Sequence, residues 1–73
     1  MILSQKEVQA IKKKYQKGTK IKLIHMEDPY KHPADGSIGT VDHVDDAGSI
    51  HMTWECGSSL AILPDVDKFE VIE

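Results

Sequence analysis

A chain of 73 residues has room for one domain, and burying only about 60% of its unfolded surface demands a small, tight core. Twelve acids against nine bases leave a formal net charge of −3, which speaks against whole-surface attraction to nucleic acid or anionic lipid. A single cysteine, Cys56, excludes an internal disulfide and fits a reducing, cytoplasmic setting.

The first element reads as a helix over about residues 5–16. Ser4-Gln5-Lys6-Glu7 spells a capping box, and Leu3 and Val8 stand at the spacing of a hydrophobic staple. Val8, Ile11 and Tyr15 form a narrow apolar stripe, Lys12, Lys13, Lys14 and Lys17 suit the negative end of the helix dipole, and Gly18 supplies the stop. A helix this short is marginal alone, so the stripe is expected to dock on the chain's own β domain.

Past Gly18 the period falls to two. A strand at about 19–26 alternates Ile21 and Leu23 with Lys20 and Lys22. Residues 27–36, with Pro29, Pro33 and Gly36, read as a long loop. A second strand at about 38–44 contains Gly39, which allows a close approach or a bend, and Val41 and Val44, which can both face inward only if a bulge or strong twist intervenes. Asp45-Asp46-Ala47-Gly48 predicts a hairpin turn into a third strand, where Ile50, Met52 and Trp54 alternate with His51, Thr53 and Glu55. Cys56-Gly57 makes the next turn, residues 58–62 read as a fourth strand, Pro64–Asp67 as a one-turn connector, and Phe69 with Val71 as a fifth strand. The expected architecture is mainly β: a small five-stranded SH3-like barrel over about 19–72, preceded by one short N-terminal α-helix, all in a single domain spanning 1–73. Its core would hold Ile21, Leu23, Val41, Ile50, Met52, Leu60, Ile62, Phe69 and Val71.

Lys17-Gly18-Thr19, Leu23, Met26, Asp28-Pro29-Tyr30, Pro33, Gly36, Gly39-Thr40-Val41, Asp45-Asp46, Gly48, Ile50, Trp54 and Gly57-Ser58-Ser59-Leu60 together carry a resemblance. Over about residues 17–72 the chain resembles an uncharacterised small-domain family, a domain of unknown function met in bacterial, phage and mobile-element proteins. The resemblance implies a cytoplasmic, phage-linked setting and brings no catalytic residues with it. Gly39-Thr40-Val41 is also similar to the glycine-valine pattern of ribosome- and transcription-associated small barrels, over those few residues alone.

Candidate chemistry is sparse. His25, His32, His43 and His51 lack the spacing of a closed metal set, and His43 with His51 can oppose each other across the central hairpin in one of its registers. No metal or cofactor is therefore expected. Asp42, Asp45 and Asp46 gather carboxylates at one turn, where turn formation explains them better than acid–base work. Cys56 reads as a turn residue, with neither activating base nor orienting group beside it. Trp54 ends an inward alternation, and Tyr30 lies in a loop that no core periodicity claims, placing it between ligand contact and folding back over the barrel.

These features point away from an enzyme and toward a non-catalytic module that binds a protein, in the phage-linked reading a host factor or defence component. Its contact residues would be Asp28, Tyr30, His32, Asp45, Asp46 and Trp54. The alternative is a nucleic-acid-binding small barrel that uses Lys12, Lys13, Lys14, Lys20 and Lys22 against phosphates. A further alternative is capture of a nucleotide-like ligand by an oligomer. The longest unbroken apolar run, Leu60 to Leu63, predicts neither a signal peptide nor a membrane span, and the expected state is a monomer or weak homo-oligomer.

Overall fold

In the computed structural model, which describes residues 4–26 and 33–73, the helix forms where its cap places it. The Glu7 amide donates to Ser4 Oγ at 3.1 Å and the Ser4 amide to Glu7 Oε1 at 3.2 Å, closing the capping box. Helix α1 runs Gln5–Lys14 and stops two residues before the predicted end, because Tyr15 leaves helical geometry at φ −113° and ψ 75°. Gly18, in the left-handed region at φ 93°, then turns the chain into the sheet. Val8 is buried, and Ile11 and Tyr15 pack against the sheet's core, so the helix docks on its own chain as its stripe predicts.

Four strands follow: β1 Lys20–His25, β2 Ile38–Val44, β3 Ile50–Trp54 and β4 Lys68–Val71. They form one antiparallel sheet in the order β3-β2-β1-β4. One face of that sheet carries the core of Ile21, Leu23, Val41, Ile50, Met52 and Trp54, joined by Met26 and Ile62. Gly39 sits opposite Trp54, and a Cβ there would lie 2.7 Å from the indole, so glycine is what lets the ring lie flat on β2. Of the bulge or strong twist expected at Val41 and Val44, a bulge is what forms. Register shifts between Val41 and His43, which turns Val44 back toward the core.

The closed, five-stranded barrel is not what forms among the described residues; the sheet is open and four-stranded. The stretch expected as a fourth strand touches the sheet through a single bridge, in which Ile62 and Ile50 exchange backbone bonds of 2.8 and 2.9 Å. Side chains take the neighbouring backbone instead. The Leu60 amide donates to Ser58 Oγ at 3.3 Å, and the Leu60 carbonyl accepts the Trp54 indole N–H at 2.8 Å. Three core expectations change as well. Leu60 and Phe69 are only partly buried, though packed against the core, and Val71, directly across from Ile21, is 48% exposed. No helix among the described residues is long and apolar enough to cross a membrane.

Candidate functional site

The β2–β3 hairpin gathers the polar side chains that the sequence singles out. Asp45 organises its turn: Oδ1 accepts the amides of Ala47 at 3.0 Å and Ser49 at 2.9 Å, while Gly48 adopts φ 89°. The other oxygen, Oδ2, accepts His51 Nε2–H at 2.8 Å. Three residues before Asp45, Asp42 Oδ2 accepts the Nδ1–H of its neighbour His43 at 2.8 Å. The bulge at Asp42 does the rest. By absorbing one residue of β2 it sets His43 directly opposite His51, and the two rings stack with centroids 4.4 Å apart and planes 6° from parallel.

Electrostatics follow these bonds. The hydrogen bond from His51 holds the Asp45 carboxyl below the usual carboxylate range, helped by the Ser49 and Ala47 amides and opposed by partial desolvation. The hydrogen bond from His43 does the same for Asp42, with smaller contributions from the charges of His43, Lys17 and His51 against desolvation. Asp46 points away from this cluster and meets the helix, where Lys12 Nζ lies 2.9 Å from its Oδ1. The hairpin turn is therefore tied to α1 through the one lysine, and to β3 through a histidine.

The remaining candidates are scattered. Trp54 is 2% exposed with its N–H committed to Leu60, so it packs the core and offers no ring face to a ligand. Asp28, Tyr30 and His32 lie outside the described residues. Of the lysines, Lys13 and Lys14 are exposed on the helix and Lys20 and Lys22 on the outer face of β1, with Glu70 of β4 directly across from Lys22. The stacked rings cannot serve one metal ion as they stand, since parallel imidazoles aim their lone pairs in separate planes. Among the described residues, no group of three or more metal-ligand side chains gathers. Cys56 is exposed in the turn after β3.

Sequence reasoning passed over a second feature. Ile24, Leu63, Val66, Val71 and Ile72 are large aliphatic residues between 42% and 48% exposed. Ile24 sits at the irregularity between Leu23 and His25, and the other four lie in or around β4. A break in alternation at Ile24-His25 and the valine in the Pro64–Asp67 connector are the only traces they leave in the sequence.

Residues 4–72 match the family described as Domain of unknown function (DUF4314). No curated protein and no solved structure matches the chain.

Proposed function

We propose that this chain, which belongs to the family described as Domain of unknown function (DUF4314), is a non-catalytic protein-binding module. The observation that carries the proposal is the set of half-exposed aliphatic side chains flanking β4, four of them within residues 63–72. Single exposed aliphatics are ordinary on a protein surface, but four of them within residues 63–72 of so small a domain have the composition of a contact patch. An SH3-like barrel, begun by the Ile50–Ile62 bridge and left open elsewhere, is the fold reading that goes with this function. The partner class we favour is a host factor in the phage or mobile-element setting that the family resemblance implies.

Nucleic-acid binding is the weaker reading. Lys12 is engaged by Asp46 and Lys22 faces Glu70 across the β1–β4 ladder, so two of the five lysines already have acids beside them. The readings separate by experiment. Replacing Leu63 and Val66 by serine should abolish capture of a protein partner on crosslinking while leaving the fold intact. Conversely, a steeply salt-dependent mobility shift with single- or double-stranded DNA or RNA, lost in a Lys13→Glu, Lys20→Glu variant, would overturn the protein-binding proposal.

A further inference from the structure

We infer that the free edge of β4 pairs with the same edge of a second copy of this chain, in one register, so that the module works as a two-fold dimer. The inference rests on the protein-binding reading and names one partner for that end of the sheet. Its starting point is hydrogen-bond direction. The Ile72 amide donates to the Lys20 carbonyl at 2.9 Å, and Lys22 pairs with Glu70, so the even-numbered residues of β4 turn their backbone groups toward β1. Phe69 and Val71 must then turn theirs outward, where no strand of the sheet stands beside them. An edge of this kind is a template for another strand.

Only residues that point outward can exchange bonds with a copy, which leaves three two-fold registers: Phe69 opposite Phe69, Phe69 opposite Val71, or Val71 opposite Val71. The charges discriminate among them. Pairing Phe69 with Val71 sets Glu70 directly against Glu70 of the copy, two like charges face to face. A Val71-centred pair places Glu70 against Ile72, a charge against an aliphatic side chain. The Phe69-centred pair alone sets Lys68 against Glu70 of the copy, and does so twice by symmetry. Both side chains are exposed and share one face of the strand. On the other face the two Phe69 rings meet, each already held edge-on by its own Tyr15 at 5.4 Å. In this register Val71, which is half-exposed, stands across from Asp67 of the copy.

Sedimentation equilibrium on the full chain tests this, with concentration raised to the order of 1 mM because an edge contact is a small interface. Expected is a reversible rise from 8.2 kDa toward twice that mass. Lys68→Glu and Glu70→Lys should each weaken association about tenfold, since each creates two like-charged pairs. Mixing those two variants should restore it, because the mixed dimer has opposite charges at both positions. Val71→Pro, which removes an outward amide without touching the β1 ladder, should abolish it, and this variant remains informative if Glu70→Lys fails to fold against Lys22. A chain that stays monomeric throughout, or a dimer indifferent to Lys68→Glu and Val71→Pro, overturns the inference. In the monomeric case, a partner lost on changing Leu63 and Val66 would leave the protein-binding proposal standing, so the two fail separately.

Discussion

At the β2–β3 hairpin, Asp42, Asp45 and Asp46 each hold a side-chain partner within 2.9 Å, and the opposite face buries Val41, Ile50, Met52 and Trp54. Along β4 the balance is reversed. Aliphatic side chains stand half in water, and the backbone of alternate residues faces outward. The hairpin is packed by α1 and by the Ile62 bridge, whereas β4 has β1 on one side and, among the described residues, no strand on the other. In a domain this small, stability is concentrated where a strand has two neighbours, and the surface free to meet a partner lies where it has one.

Truncating the hairpin's anchor should do the most damage. Trp54→Ala leaves a hole in the core beside Gly39 and orphans the Leu60 carbonyl, at a cost of about 3–5 kcal/mol, enough to unfold so small a domain. The matching truncation at the edge, Val71→Ala, should change stability by no more than about 0.5 kcal/mol. Thermal melting of the two variants side by side measures the contrast, and a cooperative transition retained in Trp54→Ala would break it.

Adding one methyl group tests the same packing from the other side. Gly39→Ala drives a Cβ to 2.7 Å from the indole and 3.0 Å from Met52 Cε. The sheet must part or the ring must tilt away from its Leu60 bond, and the cost should be about 1–3 kcal/mol. A melting temperature equal to that of the parent would mean that the ring is free to move.

Smaller again is the turn itself. Asp45→Ala removes two amide acceptors and the His51 partner at once, with an expected loss of about 1 kcal/mol. Asp46→Ala, one residue on, removes only a bridge whose carboxylate is almost wholly exposed, and should stay within about 0.5 kcal/mol. Equal losses at the two positions would show that the acids act through the turn's overall charge and not through these bonds.

Why the hairpin was legible in the sequence and the edge was not follows from the same contrast. Val41 and Val44 stand three apart, and wanting both inside calls for a bulge or a strong twist, of which the structure contains the bulge. Ile50, Met52 and Trp54 alternate cleanly, and Asp45 to Gly48 has the chemistry of a turn. These are local signals with local causes. Residues 58–62 carry apolar alternation too, but Ser58 and the indole of Trp54 capture the backbone at Leu60, and that competition is decided by tertiary contact. Val71 alternates correctly with Phe69, yet burial depends on a tertiary neighbour that alternation does not reveal, and Val71 is half-exposed. The contact residues expected at Asp45 and Asp46 prove to be bound up in the turn and its tether to Lys12, while Ile24 and Val66 drew no notice because isolated aliphatics fit no motif.

Acid titration should give the smallest effect. Both Asp42 and Asp45 have folded-state carboxyls held below the usual range, chiefly by hydrogen bonds from His43 and His51. A carboxyl depressed on folding contributes stability that is fully present above its unfolded value and disappears as pH falls through its folded value. The melting temperature should therefore decline as pH drops through the ordinary carboxylate range and below it. Asp45→Asn should lower the melting temperature near neutrality, and the gap from the parent should close as the solution is acidified, because the parent loses what the variant lacks. Asp42→Asn should show the same convergence from a smaller starting gap, since Asp42 accepts one side-chain bond where Asp45 accepts His51 and two amides. Parallel curves for Asp45→Asn would show instead that the histidine contact adds nothing to folding, and the acid sensitivity would then have to be sought elsewhere in the chain.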